Sequence, residues 1–197
     1  VKRIICEWCT EALYKSMPEN RYVLLDRDGV INHDSDDFIK SPEQWLPIEG
    51  SLEAIALFNE HGYKVVVITN QSGLARGLFD APTLEKIHAK MQRMAEEKGG
   101  EIDAIYFCPH GPDDDCNCRK PKPGLLEAFA ADHHVNLNGM AVIGDSLRDL
   151  QTAQTVGASP ILVKTGKGQK TLTENPNLDI PVFENLYDAA KYLTSRP

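Results

Sequence analysis

The sequence predicts an α/β fold, a parallel sheet flanked by helices, and three observations carry that expectation. Short apolar runs rich in β-branched residues recur at 22–25, 64–69, 104–107, 140–144 and 160–163, as strands buried on both faces do. Between them lie segments with apolar residues at three- and four-residue spacing, the mark of helices that cover a sheet. Most runs end abruptly in polar or charged residues, and open α/β sheets hold their ligands outside the carboxyl ends of parallel strands.

The first run delivers Asp26 and Asp28 to its end, followed by Gly29. Side chains two apart on a strand face the same way, so the two carboxylates are presented together. Like charges held close push their proton affinities apart, leaving one carboxylate to attack while the other keeps a proton to donate. Asp-x-Asp-Gly also occurs in EF-hand loops. Here, however, Leu24 stands where a further Asp or Asn is needed, and no terminal acid follows. The polar stretch 33–37 and the irregular stretch 41–47 suit a substrate lid.

Ser51 is expected to cap a helix that carries Leu52, Ile55 and Phe58 on one face and stops at Gly62. Strand 64–69 then brings Thr69, Asn70, Gln71 and Ser72 to the edge that holds Asp26, where small hydroxyls and free amides suit a phosphate. Leu84, Ile87, Met91 and Met94 define a long amphipathic helix ended by Gly99 and Gly100. Strand 104–107 runs into Cys108, His110, Cys116 and Cys118. This Cys-x-His-x5-Cys-x-Cys spacing closes a tetrahedral donor set and points to structural zinc. Arg119, Lys120 and Lys122 follow directly, so such a loop would hold cations rigidly. Helix 125–133 ends with His133 and His134 as surface residues. Strand 140–144 leads to Asp145 and Ser146, with Asp149 one helical turn on as support. Residues 164–177 are expected to be an exposed loop and 187–193 a closing helix.

At 197 residues the chain suits one domain. We expect that domain to span 17–197 from Met17, with 1–16 a peripheral extension or an artefact of where the reading frame is taken to start. A net charge of −8 offers no general attraction for nucleic acid or an anionic membrane. No apolar run approaches the roughly 20 residues of a membrane span. Five cysteines, an odd number clustered with a histidine, suit metal ligation in a reducing compartment, so a cytoplasmic protein is expected. A monomer acting on a small molecule is the further expectation.

Asp26, Asp28, Thr69, Lys120 and Asp145 each follow a strand, so one crevice can hold them all. Asp26 and Asp145, with the backbone carbonyl of Asp28, suit Mg²⁺ in an all-oxygen shell. Lys120 neutralises charge so that Asp26 can approach phosphorus, while Asp28 protonates the leaving group and later takes a proton from water.

At these residues the chain resembles the haloacid dehalogenase superfamily of phosphatases. Asp26-x-Asp28-Gly29-Val30 is similar to its first motif, Thr69 to the second, Lys120 to the third, and Gly144-Asp145 with Asp149 to the fourth. Residues 68–73, the Cys-x-His loop and residues 118–121 resemble the subgroup of D-glycero-D-manno-heptose 1,7-bisphosphate 7-phosphatases. That resemblance implies a Rossmann-like sheet with a small zinc-bound loop and no large cap domain. It also implies release of the C7 phosphate of a heptose bisphosphate through an aspartyl-phosphate, in ADP-heptose, lipopolysaccharide core or related heptose biosynthesis. Catalysis falls to Asp26, Asp28, Thr69 and Lys120, magnesium to Asp26, Asp28 and Asp145, and zinc to Cys108, His110, Cys116 and Cys118. Substrate contacts are expected from Asp34, Asp37, Asn70, Gln71, Ser72, Arg119 and Ser146, with Arg76 and Lys122 as further cations for a second phosphate. Two other readings compete: a histidinol-phosphate phosphatase, whose metal loop is similarly short, and a non-enzymatic zinc-stapled binding module.

Overall fold

Residues 21–195 are described by the structure, a computed structural model. Among the described residues six strands pair in parallel throughout: β1 (Arg21–Leu25), β2 (Tyr63–Asn70), β3 (Ala104–Cys108), β4 (Ala141–Gly144), β5 (Ser159–Val163) and β6 (Val182–Phe183). Their order across the sheet is β3-β2-β1-β4-β5-β6. The helices are α1 (Ser51–Glu60), α2 (Ala81–Glu96), α3 (Gly124–His133), α4 (Leu147–Thr155), α5 (Gly168–Glu174) and α6 (Leu186–Thr194).

The two-residue side-chain period of β1 builds two cores at once. Val23 and Leu25 pack with Ile55 and Phe58 of α1, Ile87 and Met91 of α2 and Ala189 of α6. Tyr22 and Leu24 pack on the other face with Leu126 and Phe129 of α3 and Ala153 of α4. Coverage of both faces is why these strands are apolar at successive positions. Burial of each large aliphatic side chain is worth roughly 1.5–3 kcal/mol, so the sheet holds the residues just beyond its strand ends in place. The strand order reverses direction between β1 and β4, and a crevice opens at such a point. Asp26 follows β1 and Asp145 follows β4.

Several expectations are corrected. Gly50, in the left-handed region at φ 80°, is the cap of α1, whereas Ser51 lies inside the helix and donates its hydroxyl to the Ile31 carbonyl at 2.6 Å. Residues 164–177 are not a plain loop: α5 lies within them, seated by buried Gly168 and Thr171. Its lack of large apolar residues hid it. Strand β6 is too short to read from sequence. The 41–47 stretch is anchored, since Trp45 is fully buried and Lys90 of α2 donates to the carbonyls of Pro42 and Trp45 at 2.7 Å each. His133 is no free surface residue, because Tyr22 Oη lies 3.1 Å from its Nδ1 and the Phe129 ring 4.9 Å away. The segment 1–16 and its boundary at Met17 lie outside the described residues. Among the described residues no helix is long and apolar enough to cross a membrane.

Candidate active site

The carboxyl edge of the sheet gathers charges of opposite sign in a small space. Lys120, in the loop after β3 and only 5% exposed, places Nζ 2.9 Å from Asp26 Oδ1 and 2.5 Å from Asp149 Oδ1, and donates to the Ile68 carbonyl at 2.8 Å. Asp149 accepts from the Ser146 hydroxyl at 2.6 Å and the Ser146 amide at 3.1 Å, so the start of α4 and the third motif are tied to one carboxylate. Asp145 accepts from the Lys167 amide at 2.8 Å. Two glycines make this crowding possible. A Cβ on Gly29, at φ 82°, would overlap the Asp145 carboxylate, and one on Gly144 would overlap Asp149.

Carboxylate oxygens of Asp26, Asp145 and Asp149 lie within 4.8 Å of one another. Burial first, then the neighbouring carboxylates against the pull of Lys120, pushes Asp26 up to about 8. Burial and Asp149 push Asp145 up to about 7. One ammonium is too little positive charge for three clustered carboxylates, and their hard oxygen donors fit a divalent cation such as Mg²⁺. Asp149, expected only as support, contributes an oxygen to this group. The Asp28 carboxylate, expected among the magnesium ligands, does not belong to it.

Asp28 is held differently. Burial raises its proton affinity, but Arg27 and hydrogen bonds from Asn32, Arg27 and Gln71 outweigh it and hold the carboxyl below its ordinary value. Asn32 Nδ2 donates to Oδ1 at 2.9 Å, and Gln71 Nε2 donates to Oδ2 and to Thr69 Oγ1, each at 2.9 Å. Among the protein groups alone the expected split of proton affinity therefore runs the other way, with Asp26 the weaker acid. The reason is the partner each has: Asp28 grips a guanidinium, while Asp26 sits among other carboxylates.

A cavity of about 280 Å³ opens over these groups. Its lining includes Asp26, Asp28, Thr69, Lys120 and Asp145, and also Asp34, Asn70, Gln71, Ser72, Arg119 and Ser146. Asp37 does not line it. The turn closed by Phe38 N to Ser35 O leaves Asp37 exposed and brings Asp36 and Phe38 to the cavity instead. Lys122 is also absent from this lining, its Nζ donating to the Cys116 carbonyl at 2.7 Å. Arg76 lines the cavity with its guanidinium over the Phe38 ring. Sequence reasoning missed Arg27, Arg148 and Lys167, all in the lining. Lys167, whose Nζ pairs with Asp34 at 2.6 Å, was hidden in the supposed exposed loop. For Arg148 the available signal was its place two residues past Ser146 at the start of a helix.

The Cys108, His110, Cys116 and Cys118 donor atoms also lie within 4.8 Å of one another. Sulfur separations of 3.2 and 3.9 Å from Cys108, and 3.3 Å from His110 Nδ1 to Cys118 Sγ, approach those of a tetrahedral shell, and these three cysteines are free of disulfides. Arg119 Nη1 donates to the His110 carbonyl at 3.1 Å, and Lys120 exchanges hydrogen bonds with the Asn70 side chain, so this loop aims both cations at the cavity.

Comparison with known proteins agrees with this architecture. Residues 117–189 match a family model described as HAD-hydrolase-like. The chain is 49% identical over 173 residues to the D-glycero-beta-D-manno-heptose-1,7-bisphosphate 7-phosphatase of Pseudomonas putida, covering 88% of this chain and 99% of that one. It is 54% identical over 154 residues to the protein of that name from Bordetella bronchiseptica, covering 78% and 86%. Among solved structures, it is similar to the D,D-heptose 1,7-bisphosphate phosphatase of B. bronchiseptica complexed with magnesium and phosphate. That match has a TM-score of 0.86 and 51% identity, and covers 88% of this chain and 97% of that one.

Proposed function

We propose, from the premise that this chain belongs to the D-glycero-D-manno-heptose-1,7-bisphosphate 7-phosphatase family of HAD-like hydrolases, that it removes the C7 phosphate of that bisphosphate through an aspartyl-phosphate. It is thus a phosphoric monoester hydrolase acting in heptose metabolism. The observation that carries the mechanism is Lys120 Nζ at 2.9 Å from Asp26 Oδ1, with the buried Thr69 hydroxyl at the neighbouring strand end.

Asp26 and Asp145 are the side chains we assign to magnesium, with the carbonyl of Asp28. The magnesium in the similar B. bronchiseptica structure supports that assignment. Bound there, the ion supplies charge neutralisation for the transferring phosphoryl group and keeps Asp26 ionised. Lys120 and Thr69 donate to the phosphoryl oxygens as charge builds on them. An Asp26 oxygen forms a bond to phosphorus as the bond to the C7 oxygen breaks. The incoming phosphate dianion raises the proton affinity of Asp28 beside it, and Asp28 passes its proton to the departing C7 oxygen. Water then bonds to phosphorus, the Asp26 oxygen–phosphorus bond breaks, and the water proton returns to Asp28.

Zinc is the ion we assign to Cys108, His110, Cys116 and Cys118, in a structural role. Arg119, with Arg76, is the proposed recognition group for the second phosphate, since a guanidinium meets phosphate oxygens in pairs. Asp34, Asn70, Gln71, Ser72 and Ser146 complete the proposed sugar and phosphate contacts. Family membership at near half identity favours the bisphosphate over histidinol phosphate, and a strand-end site with a built reaction centre argues against a binding module. A cytoplasmic monomer remains our proposal. Specificity constants for heptose 1,7-bisphosphate and histidinol phosphate, measured with Mg²⁺, decide the assignment. A large preference for the bisphosphate is expected, and equal or reversed constants would sink it.

A further inference from the structure

Arg27 is a cation with 1% of its surface exposed, an expensive residue to bury without a purpose. Its Nε and Nη2 lie 3.2 and 3.0 Å from Asp28 Oδ1, and Nη2 also lies 3.0 Å from Asp28 Oδ2 and from Gln71 Oε1. The remaining edge of the fork is held from outside the catalytic motifs: Nη1 lies 3.3 Å from Nε2 of His88, a buried residue of α2. A guanidinium only donates, so His88 Nε2 accepts and the ring proton sits on Nδ1. Burial, with the Arg27 cation second, pushes the imidazole down to about 4, which keeps it a neutral acceptor. The Phe107 ring stands edge-on behind it, with centroids 5.9 Å apart.

We propose that His88 is a positioning residue for phosphoryl transfer, orienting the Arg27 fork, which in turn sets the Asp28 carboxylate that exchanges protons with the leaving group and with water. One acceptor on the free edge removes the fork's freedom to swing about its last torsion. The fork then presents its Nε and Nη2 side to Asp28 and steadies Gln71, whose amide also touches Thr69 Oγ1. His88 touches neither substrate nor magnesium in this scheme. Its effect travels through Arg27 alone.

The inference rests on Asp28 acting as acid and base of the proposed phosphatase, and leaving-group chemistry separates the two claims. With heptose bisphosphate the departing alkoxide needs a proton. With 4-nitrophenyl phosphate the phenolate departs unaided, yet water attack on the aspartyl-phosphate still needs the base. His88→Leu, with metal content and folding verified, should lower kcat on the bisphosphate by about tenfold or more while KM stays nearly constant. On rapid mixing with 4-nitrophenyl phosphate it should give a burst of one phenolate per enzyme that the wild type lacks. His88→Gln, whose amide oxygen reaches the Nε2 position, should recover most of kcat and lose the burst. His88→Asn, too short to reach, should behave like His88→Leu and replaces it if the leucine chain does not fold. Unchanged kcat in both deficient variants overturns the inference. So does an equal loss in all three without a burst, the signature of packing alone. A wild-type enzyme that releases phosphate from neither substrate would remove the phosphatase reading itself, whereas an active wild type beside indifferent His88 variants removes only this inference.

Discussion

Two regions of the molecule each bring their ligand-bearing side chains within 4.8 Å of one another, by opposite routes. Asp26 and Asp145 arrive from two strand ends far apart in the chain and Asp149 from the first turn of α4, and the sheet holds them together against their mutual repulsion. Cys108, His110, Cys116 and Cys118 lie in one loop with little apolar burial beyond Cys108, so an ion there would hold the loop itself. Removing the ion from the first region should leave the fold and change its charge. In the second region it should loosen the backbone that carries Arg119 and Lys120. The loop also runs into Lys120, the cation paired with Asp26, so the two regions are joined through one side chain.

The sharpest break in the first region is Asp26→Asn. Asp149, the other carboxylate on Lys120, is held by the Ser146 hydroxyl and amide and is not expected to take over as nucleophile, so kcat should fall by about three orders of magnitude or more while the melting temperature holds. Asp28→Asn should cost nearly as much. Steady-state phosphate release and a thermal melt check both, and retained activity in Asp26→Asn would mean that water attacks phosphorus directly.

Cys118→Ser tests the second region. It should remove about one zinc per chain by elemental analysis and lower kcat by about 30- to 100-fold as Arg119 and Lys120 lose their anchor. Normal activity without zinc would show that the sheet alone positions Lys120. Arg119→Ala should act more weakly and on specificity: its preference for the bisphosphate over a monophosphate should fall by about tenfold, with kcat on the monophosphate little changed. An equal loss on both substrates would place Arg119 in the general architecture.

The smallest effect concerns pH. A carboxyl whose folded pKa is raised adds stability in full below its unfolded value and loses it as pH rises through the folded one. Asp145 at about 7 and Asp26 at about 8 therefore make magnesium-depleted protein less stable between pH 6.5 and 8.5. His88 runs the other way because its folded value is depressed to about 4, and starting at 6.5, its ordinary value, leaves most of that opposing trend below the window. Melting temperature should fall across this window on the order of several degrees without Mg²⁺ and stay flat with it. A flat profile in both would show that Lys120 already balances the cluster.

The residues themselves determined the parallel sheet, because buried strands must be apolar at successive positions and their polar ends cannot enter the core. They also brought the proposed reaction-centre residues to one edge of the sheet, since Asp26 and Asp145 directly follow strands, Thr69 lies at the end of β2 and Lys120 in the loop after β3. The Cys/His cluster was legible for a different reason: its ligands are local, so spacing alone states it. Tertiary structure decided what depends on direction and on distant partners. Asp37 was read as a contact because it sits in an acidic run, and a single turn leaves both Asp36 and Asp37 exposed but sets only Asp36 at the cavity. Arg27 alternates with the two aspartates and carries no sign of its use, because its meaning lies in Gln71 and in His88 of α2. The proton affinities of Asp26 and Asp28 were reversed from expectation on the same ground. Sequence places two carboxylates together, but which one holds a proton depends on the charges that folding brings beside each.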